Sequence, residues 1–113
     1  MILNAIIKET KLGYDYPIFT FNLVLEVQDG TGVVFGGYAL DEYIKNRNKR
    51  VIQPKGAEAI QRILEVVDVD TWEDLKGKYI RIESNGIGST LTKIGNIMKD
   101  EWVDFSTFFK GEI

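Results

Sequence analysis

The sequence predicts an α+β domain: an antiparallel sheet of about five strands with one main helix packed on it. Three observations carry that expectation. Phe19, Phe21, Leu23, Leu25 and Val27 alternate with Thr20, Asn22, Val24, Glu26 and Gln28, the period of a strand with one core face. Asp29-Gly30-Thr31-Gly32 then supplies glycines for a tight turn before Val33-Val34-Phe35, so the strand returns as a hairpin. Ile60, Ile63, Leu64 and Val67 stand at i, i+3, i+4 and i+7, which is one face of a helix.

The remaining elements follow in order along the chain. Ile2 to Glu9 reads as a first strand, ended by a turn at Gly13-Tyr14-Asp15-Tyr16-Pro17. With the hairpin it makes a three-stranded antiparallel meander. Gly36-Gly37 closes the third strand, where paired glycines permit a bulge or the close approach of another backbone. Asp41 is placed to cap a short helix through Ile44, and the stretch after it reads as an exposed loop. Pro54 and Gly56 precede the main helix, Ala57 to Val67, with Glu58 in its first turn to suit the dipole. Thr71-Trp72-Glu73-Asp74 resembles a capping box, and Gly77 stands where a left-handed residue would end the turn. Lys78 to Glu83 alternates as a strand, Asn85-Gly86-Ile87-Gly88 turns it, and Leu91 to Met98 returns as its partner. The tail holds Trp102, Val103, Phe105, Phe108 and Phe109, too apolar to leave in water, so it docks on the body or on a partner. No repeat or linker interrupts the 113 residues, so residues 1–113 read as a single ligand-binding domain.

Composition excludes several function classes. Without cysteine there are no disulfides and no thiolate chemistry, and without histidine the commonest general base and metal ligand is missing. Ser-His and Cys-His hydrolase arrangements are therefore ruled out. The charge of −3 argues against a uniformly basic nucleic-acid binder, which needs a positive face for counterion release. Charge is nonetheless concentrated: Lys45, Arg47, Lys49, Arg50 and Lys55 lie between Tyr43 and Ala57 with no acid among them. That stretch is either a solvated loop or an anion-binding patch. The N-terminus has no basic leader and no run approaches the ~20 apolar residues that cross a bilayer, so the expected location is cytoplasmic, with no membrane partner.

No catalytic constellation emerges. Ser84, Ser89 and Ser106 have no histidine to activate them. Gly86-x-Gly88 lacks the third glycine of a dinucleotide fingerprint and the lysine of a P-loop. Asp68 with Asp70, and Asp100-Glu101 with Asp104, do not match a calcium loop, so the expectation is no enzyme, no metal and no cofactor. Binding is better served. Where the basic stretch runs into the helix, Lys55, Gly56 and Ala57 offer backbone N–H groups to an anion, with Arg62 further along; plain helix capping is the rival reading. Tyr38 and Trp102 are the aromatics best placed beside polar groups, and Asn96, Lys99 and Asp100 can hydrogen-bond a ribose or phosphate near such rings. Core packing is the rival reading for each ring.

Four segments together resemble a bacteriophage family: Ile2-Leu3-Asn4-Ala5; Phe35-Gly36-Gly37-Tyr38-Ala39-Leu40-Asp41; Leu64-Glu65-Val66-Val67 through Leu75-Lys76-Gly77; and Ile94-Gly95-Asn96-Ile97-Met98-Lys99-Asp100-Glu101-Trp102. Their order and spacing are similar to those of the phage anti-Thoeris sponge proteins of the first-described type. The resemblance implies a protein that binds a cyclic ADP-ribose isomer, and in some members cyclic oligonucleotides at separate sites, and withholds it from a bacterial immune effector without cleaving it. It implies a homo-oligomer, dimer or higher, with pockets between protomers, acting in the host cytoplasm and holding no long nucleic acid. Gly36, Gly37 and Tyr38 would then lie near one pocket with Asn96, Lys99, Asp100 and Trp102, and Lys55, Gly56, Ala57 and Arg62 near another. The chain departs from the family at the helix start, where Gln53-Pro54-Lys55 replaces a Gly-Thr-Ala-like run. Two other classes stay open on the residues alone: an interaction protein that inhibits a host enzyme through the aromatic tail, and a phosphodiesterase using carboxylate-bound metal.

Overall fold

The alternating run builds the centre of the sheet. In a computed structural model that describes residues 1–85 and 90–109, β1 (Ile2–Asp15), β2 (Ile18–Val27) and β3 (Gly32–Gly36) form the antiparallel meander. β6 (Tyr79–Glu83), β7 (Lys93–Asn96) and β8 (Trp102–Asp104) extend it on the other side of β1. The result is a six-stranded antiparallel sheet in the order β3-β2-β1-β6-β7-β8. A second sheet of two strands, β4 (Asp41–Ile44) and β5 (Lys49–Ile52), stands apart. One main helix, α1 (Pro54–Val67), packs on the large sheet, and a single turn, α2 (Phe105–Phe108), follows β8. The α+β class is as expected, with six strands in the main sheet and two more in the small one.

The core lies where the period-two and period-3.6 faces meet. Phe21, Leu23 and Leu25 of β2, Ile80 and Ile82 of β6 and Ile94 of β7 are buried against Ala59, Ile63 and Val66 of α1. The helix begins at Pro54, three residues before the expected Ala57, with proline at its first position where its missing N–H costs nothing. Glu58 therefore sits in the second turn, not the first. The buried face of α1 includes Gly56, Ala59 and Val66 with Ile63 and Val67, while Ile60 and Leu64 are only partly buried. The tail takes the first of its two expected fates and docks on the body. Phe105 is buried, its ring 5.4 Å from Phe35 and 5.9 Å from Phe21, and Phe109 stacks on Tyr38 at 5.5 Å.

Four local expectations are corrected by longer-range packing. β1 does not end at Glu9; it continues to Asp15, and Gly13, Tyr14 and Asp15 pair with Thr20, Phe19 and Ile18. A bulge between Ile7 and Glu9 shifts the register, so Ala5 and Ile7 before it and Leu12 and Tyr14 after it pair with the same core-facing row of β2. That one-residue shift hides the period-two pattern from a linear reading. Asp41 caps no helix: it begins β4, and the expected loop is a hairpin whose turn is a 3₁₀ segment at Lys45–Arg47 followed by Asn48 at φ 52°. The Thr71 side chain accepts no cap hydrogen bond; its carbonyl accepts from the Asp74 N–H in a 3₁₀ turn, Trp72–Leu75. β7 is shorter than Leu91 to Met98, because Asn96 ends it and turns the chain. The turn expected at Asn85-Gly86-Ile87-Gly88 lies, beyond Asn85, outside the described residues, as does Ser89.

Two glycines are required by close approach of backbone. A Cβ on Gly36, which sits at φ +140°, would stand 2.3 Å from the Phe21 carbonyl oxygen. A Cβ on Gly56 would stand 2.0 Å from the Leu40 carbonyl oxygen, so α1 and the segment leading into β4 touch backbone to backbone.

Candidate functional site

The turn from β7 to β8 is held by one side chain. Asn96 is 6% exposed, and its Nδ2 donates to the Val66 carbonyl of α1 at 2.8 Å. Its Oδ1 accepts from the backbone N–H groups of Met98 and Lys99, both at 2.8 Å, and its own N–H donates to the Glu101 carbonyl. An amide can serve both roles at once, which a carboxylate or an aliphatic side chain cannot. Arg81 of β6 clamps the same turn from outside: Nε donates to the Asn96 carbonyl at 2.6 Å and Nη2 to the Lys99 carbonyl at 2.7 Å.

These bonds prepare a surface around Trp102. The strand register aligns Arg81, Gly95 and Trp102 in one row across β6, β7 and β8. The indole lies across Gly95, where a Cβ would meet ring atoms at 2.5 Å, so only glycine leaves room for it. The Arg81 guanidinium carbon is 5.0 Å and the Lys93 Nζ 5.1 Å from the indole centroid, within cation–π range. Trp102 Nε1 donates to Asp100 at 3.1 Å, and Arg62 of α1 reaches the Trp102 carbonyl at 3.2 Å. Lys93 also pairs with Glu83 at 3.2 Å, Arg62 with Glu65 at 2.8 Å, and Lys99 with Asp68 at 3.7 Å. The outcome is a half-buried aromatic ring flanked by two cations, Arg81 and Lys93, with Arg62 on the Trp102 carbonyl and Lys99 paired with Asp68, on a backbone fixed in place. The surface combines a ring face and cations with the carboxylates of Glu65, Asp68, Glu83 and Asp100 that pair with them.

The expected site residues divide between this surface and other places. Asn96, Lys99, Asp100 and Trp102 come together there, and Arg62 joins them. Gly36, Gly37 and Tyr38 do not touch it. Gly37 N–H donates to the Phe21 carbonyl, and the Tyr38 ring packs among Phe21, Phe35, Phe105 and Phe109. Burial raises the Tyr38 phenol above its ordinary value, with the Asp104 carboxylate adding to the effect. The helix-start group is also divided. Gly56 is filled by the Leu40 backbone where a phosphate was expected, and the Ala57 N–H donates to the Gln53 carbonyl within the helix. Lys55 lies over the Phe108 ring at 4.4 Å and 4.0 Å from Glu58, two turns or about 10 Å along the axis from Arg62.

Arg81 and Lys93 are the members that sequence reasoning missed. Their strands alternate legibly, but which residues of β6 and β7 fall beside Trp102 depends on register, which nothing local reveals. A second feature without a signal in the sequence is a cavity of about 520 Å³ at one end of the sheet, lined by Leu3, Val27, Asp29, Val33, Ile82 and Leu91 among others. None of the expected site residues lines it. The acidic groups around Asp68 and Asp70 face a shallow depression with Glu73, Asp74, Lys76 and Lys78. Among the described residues, no group of three or more carboxylates is arranged to hold a metal ion, and no helix is long and apolar enough to cross a membrane. The fold and surface thus define an α+β domain with a tryptophan flanked by Arg81 and Lys93. No protein-family model, curated protein or solved structure matches the chain.

Proposed function

We propose that the protein binds and sequesters a cyclic nucleotide immune signal, a cyclic ADP-ribose isomer or a related cyclic oligonucleotide, without cleaving it. It would act as a bacteriophage anti-defence protein in the host cytoplasm. The observation that carries the reading is the Trp102 surface: an indole for a purine face flanked by Arg81 and Lys93 for phosphates, with Arg62 on the Trp102 carbonyl and Lys99 in the adjoining turn. Sequestration needs donors, cations and a ring, and no acid, base or nucleophile. The segment resemblance supplies the ligand class. Arg62, two turns into α1, adjoins this surface, whereas Lys55 at the helix start packs over Phe108.

Release of bound ligand tests it. Purified protein is incubated with cyclic ADP-ribose isomers and with cyclic oligonucleotides, freed of unbound ligand, denatured by heat, and the supernatant analysed. Intact nucleotide at near-stoichiometric yield, lost in Trp102→Ala and in Arg81→Ala, is the expected result. A cleaved product would make the protein an enzyme, and no retained nucleotide would end the sequestration reading.

A further inference from the structure

The core face of the large sheet is covered unevenly. α1 packs against β7 and β8, and the aromatic tail closes the end that carries Phe21 and Phe35. The opposite end, where β1 and β3 begin and β2 and β6 finish, holds the cavity of about 520 Å³. Its floor is apolar: Leu3, Val27, Val33 and Ile82 come from four adjacent strands, and Leu91 joins them from the segment before β7. Val27 and Ile82 belong to the core itself, and Leu3, Val33 and Leu91 pack against it while only partly buried. The cavity is thus a continuation of the core that no helix caps.

The rim has the opposite character. Asp29 and Glu83 line the cavity, and among the described residues no lysine or arginine does. Glu83 is paired with Lys93 at 3.2 Å, and the Met1 ammonium donates to the Ser84 carbonyl at 3.1 Å. Asp29 differs: its carboxylate accepts from the Thr31 N–H at 2.9 Å and has no ion pair among the described residues. The bonds from the Thr31 backbone and hydroxyl hold that carboxyl below its ordinary value of 3.8, so it is an anion at neutral pH. An acidic mouth over an apolar floor repels phosphates, which sets this place apart from the Trp102 surface. Its volume is that of a small-molecule site, which runs to roughly 300–1,000 Å³.

We propose that this cavity is a second binding site, for a small amphiphilic amine whose apolar body lies on Leu3, Val27, Val33 and Ile82 and whose ammonium meets Asp29. Burial of the body supplies the affinity, because apolar surface of both ligand and floor leaves water. The head group supplies the choice of ligand. Asp29 is at the surface and its pairing is solvated, so the charge contributes a modest factor and the floor does most of the holding. A peptide carrying lysine or arginine fits less well, since its backbone N–H and C=O groups would lie against apolar side chains without partners. A bare metal ion would make no use of the floor. The site shares no residue with the Trp102 surface except through the Glu83–Lys93 pair, and it stands or falls independently of nucleotide binding.

Three fluorescent probes with one ring system and different heads test it: pyrenemethylamine, pyrenemethanol and pyreneacetate, titrated into the protein at neutral pH. The amine is expected to bind about threefold more tightly than the alcohol and about tenfold more tightly than the acetate. Asp29→Asn keeps the oxygen that accepts from Thr31, so the turn is retained while the charge is lost. It is expected to bring the amine and the acetate within about threefold of each other. Val33→Trp, which fills the floor, is expected to weaken all three by about tenfold or more. Amide NMR shifts in the wild type locate the probe whatever the filled variant does, and are expected at Leu3, Val33 and Leu91. Absence of binding by all three probes, tightest binding of the acetate, a ratio that Asp29→Asn leaves unchanged, or shifts confined to the Trp102 surface would each overturn the proposal.

Discussion

Two hairpins of this molecule solve the same problem with different chemistry. The β4–β5 hairpin and the β7–β8 turn are both short, both carry cations, and each is tied to the body by one of the few buried polar side chains, Asp41 and Asn96. Asp41 is an ion: its carboxylate accepts from Arg50 at 3.1 and 3.2 Å and from the Phe19 N–H at 3.1 Å. Asn96 is neutral and reaches three backbone partners. The outcome for the cations differs as well. Around Asn96 they pack on an indole, on carbonyls and against carboxylates. On the β4–β5 turn, Lys45, Arg47 and Lys49 have no ion pair among the described residues, and only Arg50 is engaged. The charged anchor engages one cation of its own hairpin, Arg50, and the other three have no ion pair among the described residues; the neutral anchor engages none, and the cations near it are held by an indole, carbonyls and carboxylates.

The comparison can be broken or sharpened in four ways, of decreasing effect. Arg50→Ala leaves the Asp41 carboxylate buried without its counterion, and denaturant unfolding is expected to show a loss of about 3 kcal/mol. A loss below about 1 kcal/mol would mean that Asp41 is solvated and the anchor is not ionic. Asn96→Ala removes three hydrogen bonds and strands the Val66 carbonyl and two N–H groups, for an expected loss of about 2 kcal/mol. It should also abolish ligand retention, since Trp102 and Lys99 lose their fixed backbone.

Acid separates the two anchors. Burial alone would raise the Asp41 carboxyl, but the Arg50 and Phe19 bonds and the Arg50 charge outweigh it and hold it below its ordinary value of 3.8. A carboxyl lowered by folding contributes stability above its unfolded value, and that contribution is lost as pH falls through the lowered folded one. Wild type should therefore lose stability below about pH 4 more steeply than Asp41→Asn. Parallel curves for the two proteins would sink the ionic account of this hairpin. The smallest effect is expected from Lys45→Ala, Arg47→Ala and Lys49→Ala together, which should change thermal stability by less than about 0.5 kcal/mol. A larger loss would show that those cations pack.

The elements that were legible along the chain are those whose signal is local. β2 and its hairpin follow from alternation and two glycines, and α1 from its apolar spacing, because each pattern is completed within a dozen residues. The full length of β1 is not legible, because the bulge between Ile7 and Glu9 changes the pairing of the strand midway. The role of Asp41 is not legible locally, because its counterion lies nine residues on and an aspartate before a short apolar run carries the same signal whether it caps a helix or starts a strand. Of the expected binding residues, those between Asn96 and Trp102 cluster because a single turn carries them. Gly36 to Tyr38 and Gly56 went to packing, because an apolar ring or a glycine looks the same in sequence whether a ligand or the chain's own backbone meets it.

By itself, then, the sequence determined the class of fold, the position of the main helix, that the apolar tail must be covered by something, and the absence of cysteine and histidine chemistry. Only the tertiary structure decided that Arg62, Arg81 and Lys93 gather on Trp102, that Leu40 occupies Gly56, and that a cavity is left at one end of the sheet. The reason is physical: periodicity is set by backbone geometry within one element, whereas strand register and helix docking come from hydrogen bonds and contacts between residues far apart in the chain.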